Sequence, residues 1–509
     1  MLSSSRTRRG HRPQWILAAI GLVYAVIVSS IAITARTLWI DEFATVAASR
    51  RSFADLHALI GQIDLVHAAY YVVMHIWFDL VGYSPFTLRF PSAIAIGIAT
   101  AVTVLLTCRL FSNRTAAVAA LLMPLIPLAA SAATTGRSPA FELLLAALAT
   151  LVLVHALDAA ESSSSRVRTI LLWVAYALVA YVGIVVFLWF ALIIVGHAMT
   201  VLVRFFIAPR RRARGLVTAA IVIVIVAAAA LPFVLAVIPQ SQQIGYLTAP
   251  TLRGAIESAV RTQFFNFQLV TGAMSFVTAL ACVSWLLVIV GIALNARRNV
   301  DALVFLLPWL ILPTVLLLAA SRYATPVYTS HYLTYSVPPL AILAAAGITA
   351  LLPVARGAIS GVLVLAFLIP ASQTWWSIRY APPTTTDFAS AARKIDDGRA
   401  REAEPAGLIL GTMRRPADQL TIGYPDATDG LENLSIAVSA DDKRYFFAQL
   451  RPAVDAARTA SQLRTVWYVG DSSSEYDQVT RTLAEEGFTK HHRDSFRPGS
   501  TEFVVKYTR

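Results

Sequence analysis

Gly215-Leu216-Val217-Thr218-Ala219-Ala220-Ile221-Val222-Ile223-Val224-Ile225-Val226-Ala227-Ala228-Ala229-Ala230-Leu231-Pro232-Phe233-Val234-Leu235-Ala236-Val237-Ile238 contains no charged side chain and follows directly on Arg210-Arg211-Arg212-Ala213-Arg214. At 1.5 Å per residue such a helix is about 36 Å long, enough to cross a hydrocarbon core of about 30 Å. It is apolar on every face, so it needs lipid rather than water around it. The arginines that precede it mark the cytoplasmic side.

Comparable runs lie near 15–35, 90–108, 115–132, 139–157, 169–185, 186–203, 273–295, 302–320, 333–352 and 357–374, which with 215–238 make about eleven predicted spans. The composition agrees, because the 509 residues are 57% hydrophobic and 14% charged, against about 25% charged in ordinary soluble domains. Arg6, Arg8, Arg9 and Arg12 ahead of Trp15 to Ile33 could open a signal peptide. The apolar run is long for that and lacks a small-residue cleavage site, so it reads as a retained first helix. A net charge of +13 does not point to nucleic acid, because the arginines before Tyr380 sit mostly in short clusters between apolar runs. Cys108 and Cys282 lie at or inside apolar segments and imply neither a disulfide framework nor a zinc site.

With the N-terminus in the cytoplasm, the loops holding Arg109 and Arg114, Arg166 and Arg168, Arg204 and Arg210 to Arg214, Arg297 and Arg298, and Arg356 all fall inside. Arg36 to Arg89, Thr134 to Ser138, Pro239 to Gly272, Ser321 to Tyr332 and everything beyond Tyr380 then fall outside. This reading expects a multi-pass plasma-membrane protein whose chemistry and C-terminal domain are extracytoplasmic. It depends on dividing 169–203 into two spans at or near Tyr181-Val182-Gly183, since losing one would put the C-terminus in the cytoplasm.

Two regions differ from this pattern. The first outer loop, 36–89, carries apolar residues at helical spacing (Phe53, Leu56, Leu59, Ile60; Tyr70, Val73, Trp77, Leu80), which predicts two or three juxtamembrane helices. After Ala381-Pro382-Pro383 carboxylates become frequent, as in Asp396-Asp397 and Glu402-Ala403-Glu404. There 387–394 and 475–486 read as helices, and 407–410, 465–469 and 502–507 as strands, so 381–509 is a small soluble α/β domain. Its turn Val469-Gly470-Asp471-Ser472-Ser473 lacks the glycine spacing of a nucleotide site.

Four outer clusters of polar residues need a reason so close to lipid. In Leu38-Trp39-Ile40-Asp41-Glu42, Asp41 is either a helix N-cap with Glu42 in the first turn or a general base. Asp64 and His67, three apart beside Tyr70 and Tyr71, suit a metal or a sugar, or simply a cap with an interfacial histidine. Arg137, in Thr135-Gly136-Arg137-Ser138, opposes the positive-inside trend and suits a phosphate or a salt bridge to Glu142. Arg322, Tyr323, His331 and Tyr332, in the segment leading into the tenth span, offer cations and hydroxyls or form an aromatic belt.

In order, these motifs resemble the GT-C superfamily of membrane glycosyltransferases, in particular the protein mannosyltransferases and lipid A aminoarabinose transferases. Leu38-Trp39-Ile40-Asp41-Glu42 resembles the family's acidic motif. Asp64 to Tyr71 resembles its "D, H-P-P, Y-Y" segment with Ala68 and Ala69 for the prolines. Leu88-Arg89-Phe90-Pro91-Ser92 resembles "L-R-L-P-S", and Thr135 to Ala140 resembles "E-A-R-x-Y-A" with Thr135 and Pro139 substituted. Pro326 to Leu333 resembles "P-V-F-x-x-R-Y-L" with His331 for the arginine. The likeness spans about 15 to 380, the expected catalytic transmembrane domain.

The resemblance implies an inverting glycosyltransferase that moves a sugar from a polyprenyl-monophosphate donor to a cell-envelope acceptor (glycan, glycolipid or protein) at the outer face. Asp41 would be the general base and Glu42 its helper. Arg137, Arg322, His331 and Tyr332 would meet the donor phosphate, while Asp64 and His67 would meet acceptor or a divalent ion. Mannose is the expected sugar. Two other readings stand beside it: a transporter or flippase, which would place ionisable groups at mid-membrane on broken helices, and a catalytically silent lipid-glycan binder.

Overall fold

The computed structural model describes residues 12–162, 164–207, 213–265, 274–351, 358–381, 386–399, 405–471 and 474–509. Arg6, Arg8, Arg9, Arg210 to Arg212, Arg356, Pro382-Pro383, Glu402 to Glu404 and Ser472-Ser473 lie outside them. Along the chain run α1 (Arg12–Ser30), α2 (Ile40–Ser49), α3 (Phe53–Ile60), α4 (Ala68–Val81), α5 (Pro85–Leu110), α6 (Asn113–Leu122), α7 (Pro127–Ala132), α8 (Pro139–Glu161), α9 (Arg166–Val186), α10 (Ala191–Ile207), α11 (Ala213–Val237), α12 (Leu252–Glu257), α13 (Met274–Asn295), α14 (Val300–Tyr323), α15 (Val337–Leu351) and α16 (Ala358–Tyr380). The C-terminal segment then adds α17 (Phe388–Arg399), β1 (Ala406–Leu410), α18 (Gln419–Gly423), α19 (Pro425–Thr428), β2 (Leu431–Asn433), β3 (Ile436–Val438), β4 (Gln449–Leu450), α20 (Ala453–Arg458), β5 (Thr465–Asp471), α21 (Ser474–Glu485), β6 (Thr489–Ser495) and β7 (Glu502–Thr508). The chain divides into two compact units, one of residues 1–33, 64–70 and 89–381, the other of 34–63, 71–88 and 382–509.

The first unit is the helical bundle. Ten helices among the described residues are long and apolar enough to cross a membrane. The predicted span at 115–132 is not one of them: it is divided into α6, a 3-10 turn at Met123–Leu125 and α7. Proline explains the breaks, since Pro124 and Pro127 each lack an amide hydrogen and clash with the preceding turn. The predicted pair at 169–203 consists of two helices, but they part at Phe187, whose extended backbone (φ −157°) ends α9, rather than at Tyr181 to Gly183. Gly183 instead makes room for a ring, because a Cβ there would sit 2.3 Å from Phe190 Cε1. Tyr176 Oη, eleven residues before the break, bonds His197 Nδ1, ten residues after it, at 3.0 Å. The two helices are therefore antiparallel. His197 also meets Thr150 Oγ1 at 3.0 Å, so a buried imidazole has polar partners on α8 and α9.

The C-terminal end of α1 is closed by two arginines. Arg89 Nη1 donates to the Ile33 carbonyl (2.8 Å), while Arg379 donates to those of Ile31 and Val28 and lies over the Trp375 ring. A helix C-terminus presents unsatisfied carbonyls and partial negative charge, which guanidinium groups satisfy. α13 and α15 cross at backbone contact: a Cβ on Gly347 would lie 2.1 Å from the Leu287 carbonyl oxygen, and one on Gly291 would lie 2.2 Å from that of Leu343. Small residues permit such crossings, where dispersion rather than water exclusion holds helices together.

The second unit joins the first outer loop to the C-terminal α/β segment. Its five-stranded sheet has the order β2-β1-β5-β7-β6, with β1 parallel to β2 and β5, and β7 antiparallel to β5 and β6. Alternation along β5 sends Val466 and Tyr468 into a core with Val479 and Leu483 of α21, while Trp467 faces Gly398 of α17 on the other side. The predicted strands and helices of this segment are all present. β6 is an addition, a polar and mostly exposed edge strand.

Gly347→Leu should lower the unfolding temperature in detergent through overpacking of about 1–3 kcal/mol or more. Gly361→Leu, at a site where a Cβ meets nothing within 4 Å, should leave it unchanged.

Candidate active site

Each unit carries one group of the predicted residues. In the second unit, α2 begins directly at the acidic motif, with Trp39 as N-cap in extended backbone. An indole N–H only donates, so Trp39 cannot accept from the helix as serine or aspartate would. Glu42, third residue of the helix, supplies the reciprocal half of a capping box by accepting from the Trp39 amide at 2.9 Å. It is 1% exposed. Asp41 is the second helical residue and half-buried, so the cap position that sequence allowed for it belongs to Trp39.

The other group is in the first unit. Asp64 adopts a left-handed backbone (φ 62°, ψ 32°), which costs most side chains of order 1–3 kcal/mol and aspartate less. It opens the short turn that carries His67, and the Leu65 amide is held by Gln240 Oε1 at 2.8 Å. Asp64 Oδ2 lies 3.8 Å from Arg137 Nη2, and its Oδ1 lies 4.0 Å from His67 Nε2. Arg137 and Asp64 are both buried. Burial together with the Arg137 charge pushes His67 down to about 4, against a smaller opposing pull from Asp64. The imidazole is thus neutral at neutral pH, and Arg137 is the charged partner of Asp64.

Arg137 sits just ahead of α8, which starts with Pro139 in its first turn. There the missing amide hydrogen costs nothing, and this gives the proline a local reason where the family pattern has tyrosine. Ser138 Oγ donates to Glu142 Oε1 at 2.7 Å. Ser92 Oγ donates to the Thr135 carbonyl at 2.7 Å, tying the Leu88 to Ser92 motif to the arginine motif. His331 lies within electrostatic reach of both Arg137 and His67. Its ring packs on Tyr332, which in turn packs on Phe187 and Trp189.

Arg322 stands apart from this cluster, exposed at the end of α14 over the exposed Tyr323 ring. Ser92 and Ser138 stand inside motifs quoted from the sequence, without a role of their own there, and Gln240 carries no such signal.

The donor set does not suit a divalent ion. Asp64 and His67 supply two ligands, a guanidinium already faces the carboxylate, and no group of three or more histidine, cysteine or acidic side chains converges among the described residues. What the cluster offers instead is a buried cation beside a helix N-terminus, an arrangement suited to an anionic oxygen.

No family model and no curated protein matches the sequence. The fold has solved counterparts. ArnT from Cupriavidus metallidurans bound to undecaprenyl phosphate superposes with a TM-score of 0.56 at 15% identity, over 96% of this chain and 97% of that one. The oligosaccharyltransferase of Archaeoglobus fulgidus in complex with Zn and sulfate gives 0.51 at 13% identity, over 95% and 72%. AglB from the same archaeon, with an inhibitory peptide and a dolichol-phosphate, gives 0.50 at 11%, over 96% and 74%. At such identities the likeness is one of backbone fold.

Between pH 6.5 and 4 the unfolded chain binds a proton at His67 that the folded chain refuses, so stability from this group falls as pH drops through that window. His67→Gln should therefore lose less thermal stability than wild type on acidification from pH 7 to pH 4, as measured by melting in detergent.

Proposed function

We propose that this chain is a glycosyltransferase that takes a sugar from a polyprenyl-monophosphate donor and passes it to a hydroxyl acceptor at the outer face of the plasma membrane. The observation that carries the reading is the buried Arg137, set at the N-terminus of α8 within a fold shared from end to end with ArnT, which was crystallised with undecaprenyl phosphate. A lipid phosphate is the anion available at headgroup depth, and nucleotide sugars are absent from the outer side.

In this reading Asp41 removes the proton from the acceptor hydroxyl as that oxygen attacks the anomeric carbon, and the polyprenyl phosphate leaves with the bonding electrons. One displacement inverts the anomeric centre. Arg137 meets the phosphate charge as it grows, with His331 as a nearby hydrogen-bonding group. Glu42 is assigned to the frame, because its carboxylate already holds the Trp39 amide. No step is assigned to a metal. Mannose is our choice of sugar, and the acceptor class is a glycan, glycolipid or protein of the envelope.

Asp41→Asn should keep donor affinity and expression while transfer from labelled polyprenyl-phosphate sugars falls about 10²- to 10⁴-fold. Wild-type turnover in that variant would remove the proposed base. Arg137→Lys keeps the charge but loses the fork, so donor binding should weaken in it and weaken further in Arg137→Ala. Equal, unimpaired binding in both would remove the phosphate role. For orientation, Asp55→Cys and Thr480→Cys in a chain lacking Cys108 and Cys282 should react with an impermeant thiol reagent in spheroplasts, and Arg298→Cys should not. The reverse pattern would put the chemistry inside.

A further inference from the structure

The second unit holds the acidic motif through contacts with residues 352 to 387 positions further along the chain. Tyr424 Oη accepts from the Leu38 amide at 3.0 Å and shares a hydrogen bond with Thr37 Oγ1 at 3.2 Å. Thr37 Oγ1 in turn accepts from the Ala389 amide at the start of α17 (3.3 Å). These contacts fall on the residues immediately before Trp39, the N-cap of α2.

Packing converges on the same place. Leu38 and Phe43 occupy the positions before the N-cap and one turn into the helix, the spacing of a hydrophobic staple. Both meet Gly423, where a Cβ would lie 2.3 Å from Phe43 Cε1 and 3.0 Å from Leu38 Cδ1. The Phe43 ring stands edge-on to Phe388, with centroids 5.7 Å apart, and to Tyr424 at 6.5 Å. The rest of the loop is tied down as well: buried Arg51 pairs with Asp441 at 3.1 Å and Tyr83 Oη donates to the Gly423 carbonyl at 2.8 Å.

α2 has ten residues, and its N-cap side chain cannot accept from the helix. An isolated helix of that length is marginal. Its first turn, where Asp41 sits, therefore takes its geometry from outside.

We propose that the C-terminal α/β segment is the positioning element of the acidic motif, with Tyr424 as the positioning residue that sets the first turn of α2 and hence the Asp41 carboxylate. The claim about catalysis rests on the glycosyltransferase reading, whereas the claim about position does not. Tyr424→Phe removes one hydroxyl that accepts from the Leu38 amide and shares a hydrogen bond with Thr37, and it leaves the ring packed against Phe43. Tyr507→Phe is the matched control, losing a hydroxyl bonded to Thr480 within the sheet of the same unit.

Hydrogen exchange of full-length protein in detergent should show faster exchange at residues 37–43 in Tyr424→Phe and wild-type exchange there in Tyr507→Phe. With labelled polyprenyl-phosphate sugar, kcat should fall about 10- to 100-fold in Tyr424→Phe, as a slight misplacement of a reacting group can do, with donor KM unchanged. Thr37→Val, which loses the same hydrogen bond from the other side, should do likewise. Unchanged exchange at 37–43 in Tyr424→Phe overturns the positioning. Faster exchange with wild-type kcat, or an equal fall in Tyr507→Phe, overturns its catalytic consequence. Failure of the chemistry itself would appear separately, as wild-type turnover in Asp41→Asn.

Discussion

A guanidinium cannot be left uncompensated among apolar helices, where the cost of an unpaired buried charge is several kcal/mol. Arg137 is buried, and the surrounding features answer to it. Asp64 supplies the counter-charge, held in a left-handed backbone that few residues accept. Ser92 fixes the carbonyl of Thr135 two residues before the arginine, and Ser138 engages Glu142 one turn into α8. With His67 neutral, one arginine and one carboxylate make a pair of zero net charge, whose cation an arriving anion could engage.

Two arginines at the C-terminal end of α1 follow the same rule in another form. Arg89 and Arg379 use their donors on carbonyls at that end and just beyond it, those of Val28, Ile31 and Ile33, groups that lipid would not satisfy. The chain leaving α1 runs straight into the acidic motif. Closing that end therefore defines where the loop starts, and this gives the Leu88 to Ser92 motif a physical content: one residue closes α1, and another ties down the segment before Arg137.

Much of this was legible in the sequence, because a lipid solvent demands long apolar runs and allows few exceptions. The C-terminal strands were equally clear where both faces are buried, as in β1, with its five buried residues. β6 was not, because the mostly exposed side chains of Thr489-Lys490-His491-His492-Arg493-Asp494-Ser495, which pairs with β7, show no apolar period. Such charge on an edge strand discourages pairing with another chain. The break at Phe187 was placed a few residues early because glycine suggested a turn where it serves ring packing. Of the candidate site, the residue types could be read. The division of labour between neighbours could not, since it depends on contacts hundreds of residues apart.

The two acids of the motif show why that division matters. Aspartate and glutamate side by side are interchangeable to any reading of composition or spacing, yet the helix start treats them differently. A tryptophan at the N-cap leaves the first turn without the acceptor that serine, threonine or aspartate would bring. Glu42, at the third helical position, reaches back to the Trp39 amide, and its longer side chain suits that reach. Its burial then follows from its use as a frame. Asp41, one residue earlier and half-buried, has the shorter side chain and points from a different face of the same turn. A carboxylate committed to a backbone amide is a poor proton acceptor, because taking a proton would weaken the bond that holds the helix start. In our proposal the proton-accepting role is given to Asp41 and the frame to Glu42, which holds the first turn of α2 through the Trp39 amide.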